Sequence, residues 1–206
     1  MNGYMKPQDI EKRSFEIITA ELGERTFPAG IAEVVKRVIH TTADFDYADS
    51  LAFSPAKAAL AAGATVVTDT NMALSGVSKA TLAKLGGKAV CLMADEQVAS
   101  EAKARGVTRA VVSMEHAAQF EGPLLFAIGN APTALIRLHE LIEEGIVAPA
   151  LVIGVPVGFV NVVEAKELFI GGDTPYIIAR GRKGGSNVAA SIVNALLYQM
   201  VHREGF

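Results

Sequence analysis

The 206-residue chain is half hydrophobic by composition, carries a formal net charge of −3 and holds one cysteine. That length and apolar content suit one α/β domain over residues 1–206, able to bury its own core, and the lone Cys91 in the run KAVCLM excludes a disulfide framework and a thiolate metal site. The absence of a basic tract argues against nucleic acid as a partner. The longest apolar run, ALVIGVPVGFVNVV, is broken by Gly and Pro and too short for a membrane span, and the charged segment MNGYMKPQDIEKRSFE has no signal core, so a cytoplasmic protein is expected.

Two helical patterns come first, PQDIEKRSFEIITAELG and AGIAEVVKRVIH, separated by Gly23 and the Phe-Pro-Ala-Gly stretch around Pro28. A third helix is expected over SPAKAALAAG, with Ser54 as N-cap, Pro55 at the first helical position and Gly63 at the close. From there short β-rich runs alternate with helical ones: TVVTD, KAVCLM, RAVVSM, PLLFAIG, ALVIGV and PYIIARG. Several are continuously apolar, as strands covered on both faces should be, and Cys91 reads as a buried core thiol. The expected architecture is a doubly wound, mostly parallel sheet of about five or six strands, with helices on both faces and a helical N-terminal region.

Such sheets bind ligands beyond the carboxyl ends of their strands. Four strand-to-helix turns lie there, entering TNMALSG, NAPTAL, PVGFVN and RKGGSN, so that Thr70, Asn71, Asn130, Ser186 and Asn187 stand near helix starts whose N–H groups attract carboxylates or phosphates. The same turns are also consistent with ordinary capping. Around GRKGGSN the cations Arg180, Arg182 and Lys183 form either an anion clamp or a solvated turn; the spacing fits neither a P-loop nor a dinucleotide fingerprint.

At about 100° per residue, Ile31, Val34, Val35, Val38 and Ile39 share one stripe of the second helix, while Arg37 and His40 lie opposite. His40 at a helix C-terminus should keep a pKa at or above ~6.5, so the imidazolium is expected near neutral pH, with Asp44 and Asp46 placed to orient it. That suits proton donation; a surface helix end is the plain alternative. Ser14 interrupts the apolar stripe of Ile10, Ile17 and Ile18, where its hydroxyl either bonds back one turn or meets a ligand. No His spacing or acidic cluster suggests a protein-held metal.

The segments RSFEII, VVKRVIHTTADFDY, TVVTDTNMALSGVSK, FAIGNAPTAL, GVPVGFVN and GRKGGSNVAASIVNALL resemble those of the precorrin-8X methylmutase family, also called precorrin isomerase. The resemblance implies a flavodoxin-like fold, a homodimer with a corrinoid tetrapyrrole near the subunit interface, and migration of a methyl group from carbon 11 to carbon 12 of the ring. The implied product is hydrogenobyrinate, or cobyrinate where the ring carries cobalt. It also implies His40 as proton donor and acceptor and Arg37 and Ser14 as substrate-binding residues, with no redox or group-transfer cofactor. Thr70, Asn71, Asn130, Arg182, Lys183, Ser186 and Asn187 are then candidates for the substrate's carboxylate arms, while Met72 and Phe159 either face the macrocycle or pack in the core. A non-catalytic tetrapyrrole carrier and a nucleotide-dependent α/β enzyme are the rival functions.

Overall fold

The computed structural model describes residues 6–28, 30–54 and 63–201. In chain order the elements are α1 (Pro7–Leu22), α2 (Ile31–Thr42), α3 (Tyr47–Ser50), β1 (Leu51–Phe53), β2 (Thr65–Thr68), α4 (Asn71–Gly76), α5 (Lys79–Lys84) and β3 (Lys88–Val90). They continue with α6 (Glu96–Arg105), α7 (Arg109–Ala117), β4 (Leu124–Ile128), α8 (Pro132–Glu143), β5 (Leu151–Gly154), α9 (Val162–Glu167), β6 (Tyr176–Ala179) and α10 (Ser186–Met200).

The sheet runs β1-β6-β5-β4-β2-β3. All pairings are parallel except that of β1 with β6, which sets Leu51 opposite Ala179 and Phe53 opposite Ile177. Counting the parallel strands alone gives the order 2-1-3-4-5 of a flavodoxin-like sheet, whose topological switch point falls between β2 and β4. Strands β2, β4, β5 and β6 are buried along their whole length, so alternate side chains feed two cores. Val66, Leu125, Ile153 and Ile177 face a core shared with α1, α2 and α10. Val67, Phe126, Val152 and Ile178 face the opposite one, completed by α7, α8 and α9. The helices therefore cover both faces, as the continuous apolar runs predict.

Three local expectations are corrected. RAVVSM forms helix α7 rather than a strand: Thr108 caps it by accepting from Val111 N–H, and Ala110, Met114 and Ala117 repeat at helical spacing toward the second core. The adjacent valines carry β propensity, but the repeat decides. KAVCLM is strand only over Lys88–Val90, at the sheet edge, and Cys91 beyond it is half-buried rather than enclosed. The strand β1 follows from no sequence pattern; it is held by its pairing with β6 and by Ser54, whose Oγ accepts from Tyr176 N–H at 3.1 Å. The rest of the helix expected over SPAKAALAAG falls on residues 55–62, outside the described residues, as does His202. No described helix is long and apolar enough to cross a membrane.

Candidate active site

Helix α2 forms because Val34, Val35, Val38 and Ile39 pack with α10 in the first core. It ends at Ala43, whose φ of 53° turns the chain out of the helix after its N–H bonds Ile39 O at 2.7 Å. Helix α1 packs against α2 and brings Glu11 to Arg37, and Phe15 to both Arg37 and His40. Arg37 is 8% exposed, not a surface residue: its Nη1 donates to Glu11 Oε1 at 2.8 Å, and its guanidinium lies 4.6 Å from the Phe15 ring centre and 5.6 Å from that of Tyr198. His40 is exposed and its ring stacks on Phe15, centroids 5.2 Å apart and planes 11° from parallel. Ser14, half-buried beside Phe15, donates its hydroxyl to Ile10 O at 2.9 Å and keeps its lone pairs for an incoming donor. The stripe in which Ser14 was read is divided: Ile18 enters the core, whereas Ile10 and Ile17 are exposed.

The electrostatics of His40 differ from the macrodipole expectation. Burial of part of the ring under α1 is the leading influence and pushes its pKa below 6.5; the Arg37 charge acts the same way, and Glu11 opposes both. The isolated protein therefore holds a neutral imidazole near pH 7. Asp44 and Asp46 do not orient His40 either. Both accept from Lys183 Nζ, at 2.7 and 2.5 Å, and the hydrogen bond to Lys183 is the main cause holding the Asp44 carboxyl below its usual range.

At the sheet edge the turn residues form a second cluster. Thr70 Oγ1 caps α4 by accepting from Ala73 N–H at 3.0 Å and shares a hydrogen bond of 2.7 Å with Ser186 Oγ, so those two candidates meet across the loops after β2 and β6. Asn71, Asn130 and Asn187 are exposed beside them. Asp69, 1% exposed, accepts from the N–H groups of Gly129, Asn130 and Ala131 at 2.9, 2.8 and 2.6 Å. These are the donors at the switch point between β2 and β4, so the entry to α8 is filled by the chain's own carboxylate rather than left for a ligand anion. Burial pushes the Asp69 pKa up while the three donors pull it down.

The basic loop is anchored rather than loose. Lys166, fully buried on α9, donates from Nζ to Gly181 O and Lys183 O, both at 2.8 Å, and Gly158 N–H bonds Arg182 O. A Cβ at Gly184 would overlap the Val155 carbonyl, so glycine is required for the loop to lie this close. Lys183 is consequently a strut between this loop and the one after α2. Arg182 is exposed above Phe159, its guanidinium 5.5 Å from the ring centre, and Arg180 is exposed as well. Phe159 and Met72 are 83% and 71% exposed, which excludes core packing for both.

A family model described as precorrin-8X methylmutase matches residues 9–199. The chain belongs to the precorrin-8X methylmutase family. It is 45% identical to the cobalt-precorrin-8 methylmutase of Salmonella typhimurium, covering 97% of this chain and 99% of that one. It is 40% identical to the precorrin-8X methylmutase of Pseudomonas aeruginosa, covering 92% and 94%. A crystal structure of a Thermus thermophilus precorrin-8X methylmutase aligns with a TM-score of 0.87 at 37% identity, covering 95% of this chain and 97% of that one.

In this member of the methylmutase family, Arg37 and His40 meet on the Phe15 ring where α1 packs on α2, with Ser14 the residue before Phe15 on α1, whereas Thr70 and Ser186 meet at the sheet edge. Lys183 connects the loops leading to the two clusters. Sequence reasoning assigned no role to Glu11, Phe15, Asp69 or Lys166. Asp69 carried a signal, an acid directly after an apolar strand and facing the switch point; nothing in VVEAKELF marks Lys166 as buried.

Proposed function

We propose that this chain moves a methyl group from carbon 11 to carbon 12 of precorrin-8X or its cobalt form, as an isomerase of cobalamin biosynthesis working in the cytoplasm. Its family membership supports the reaction class, and the relatives' names include both metal-free and cobalt substrates. The observation that carries the assignment of chemistry is His40, an exposed imidazole on an aromatic platform beside a buried arginine. A methyl shift between neighbouring carbons can proceed as a sigmatropic rearrangement once protonation polarises the π system. The proton returns after the shift, so one acid–base residue closes the cycle and no redox or group-transfer cofactor enters; any cobalt belongs to the substrate.

A neutral His40 in the isolated protein is compatible with this chemistry, because carboxylate arms brought close by the substrate favour the imidazolium. Binding itself then charges the acid. Arg37, which shares the Phe15 ring with His40, and Ser14 next to Phe15 in the chain are the proposed contacts for those arms, with Arg182, Asn71, Asn130 and Asn187 at the sheet edge. Lys183 is set aside as a direct contact because Asp44 and Asp46 engage it. Filling of the switch point by Asp69 weighs against a nucleotide-dependent enzyme.

A homodimer is part of the proposal. Ile10 and Ile17 on the outer side of α1, and Val157, Phe159 and Val160 at the sheet edge, leave apolar surface uncovered near both clusters. Incubating the purified protein with precorrin-8 and with its cobalt form, nucleotide absent, while recording the visible spectrum tests the activity. A spectral change to the rearranged chromophore is expected; binding without conversion would leave a carrier.

A further inference from the structure

Acid–base histidines are ordinarily held in one orientation by a hydrogen bond to the nitrogen that does not meet the substrate. Here neither ring nitrogen of His40 has a hydrogen bond or ion pair among the described residues. The two carboxylates nearest in sequence, Asp44 and Asp46, are bound to Lys183. What sets the imidazole plane is the flat face of Phe15, 5.2 Å away and 11° from parallel. The same ring carries the Arg37 guanidinium at 4.6 Å, and Arg37 is further fixed by Glu11 from α1.

We propose that Phe15 is the positioning residue of the site: its ring, delivered by α1, orients His40 toward the macrocycle and holds Arg37 in register with it. The assignment rests on the methyl-transfer reading for its catalytic meaning. An aromatic platform fixes the tilt of the imidazole while leaving both nitrogens open, so the ring keeps its orientation whichever nitrogen carries the proton as it leaves for the macrocycle and returns. Phe15 also excludes water from one face of the imidazole, in line with burial as the leading influence on its titration. The charged groups acting on His40 are Arg37 on its own helix and Glu11 on α1; beyond the helix end, Asp44 and Asp46 are neutralised by Lys183.

The test compares Phe15→Leu, which keeps apolar bulk without a flat face, with Phe15→Tyr, which keeps the face. In single-turnover and steady-state assays with the corrinoid, Phe15→Leu is expected to lower kcat by about 10- to 100-fold, the scale of a misplaced reacting group, with a smaller rise in KM as Arg37 loses its register. The basic limb of its kcat/KM profile should move up toward pH ~6.5 as water reaches the imidazole. Phe15→Tyr should restore most of the rate and the wild-type profile. In proton NMR the His40 ring signals should be shifted upfield by the Phe15 ring current in the wild type and the Tyr variant, and lose that shift in the Leu variant. Wild-type kcat in Phe15→Leu, a rise in KM alone, or equal losses in both variants would overturn the proposal. Should Phe15→Leu not fold, cross-relaxation between the two rings in the wild type decides, and its absence would overturn it. If the wild type binds no corrinoid, the reading of the reaction fails, while the NMR comparison still reports whether Phe15 orients His40.

Discussion

Replacing Lys166 by Met should change the pH dependence of stability more than stability itself. The ammonium is fully buried and among the described residues meets two carbonyl oxygens and no carboxylate, and burial brings its pKa down from 10.5 to about 8. The unfolded chain therefore binds this proton more tightly than the folded one, and between pH 8 and 10.5 the folded state gains stability as pH rises. At and below neutral pH the full cost of burying the charge is present. That cost is about 3 kcal/mol, or roughly 2 after allowing for solvent beyond the loop that screens Nζ. Met keeps the length and the apolar stem but has no proton to lose. The difference in unfolding free energy between wild type and Lys166→Met should move in favour of the wild type by about 2 kcal/mol between pH 7 and pH 10. In melting temperature that is about 4–8 °C for a domain of this size. Urea unfolding of both proteins at the two pH values measures it, and taking the difference cancels groups that titrate alike in both. A difference that does not change with pH would mean that Lys166 is not buried in its charged form, and the anchored 181–185 loop would lose its support.

Asp69→Asn retains the shape at the switch point but offers one acceptor oxygen to three N–H donors; it should lower stability by about 2 kcal/mol in urea unfolding, and an unchanged midpoint would show that the donors are satisfied without the carboxylate. The rate–pH profiles should separate: the basic limb of kcat/KM, which reports the free protein, lies below pH 6.5, and that of kcat lies higher because the bound carboxylates favour the imidazolium, so coincident limbs would contradict charging by the substrate. Arg182→Gln should weaken corrinoid binding and flatten its salt dependence while kcat holds, whereas an unchanged salt series would make Arg182 a solvated residue only.

Much of the fold was legible because burial on both faces leaves an unbroken apolar signature, as in LLFAI and LVIG. What failed were segments whose structure is set at long range. The three residues of β1 have no pattern of their own and exist by pairing with β6. In RAVVSM a local valine pair hid the repeat of Ala110, Met114 and Ala117. The site divided in the same way. His40 and Arg37 could be placed on one side of α2 from helical spacing alone, but the cover supplied by α1 could not, and that cover buries Arg37 and reverses the expected shift of His40. The basic loop was visible as charge, yet its meaning changed once Lys183 was found on Asp44 and Asp46. Lys166 was illegible because a lysine reads as solvated until the elements above it are assembled.

The central claim is that His40 lends a proton to the corrinoid ring and recovers it after the methyl has moved. The most direct measurement is single-turnover conversion of bound precorrin-8 by His40→Asn, which keeps similar size and hydrogen bonding but removes the titratable proton. The variant should fold and bind corrinoid almost normally and lose about two to four orders of magnitude in rate. Conversion at near the wild-type rate, or weakened binding with an unchanged rate in the complex that still forms, would contradict the account.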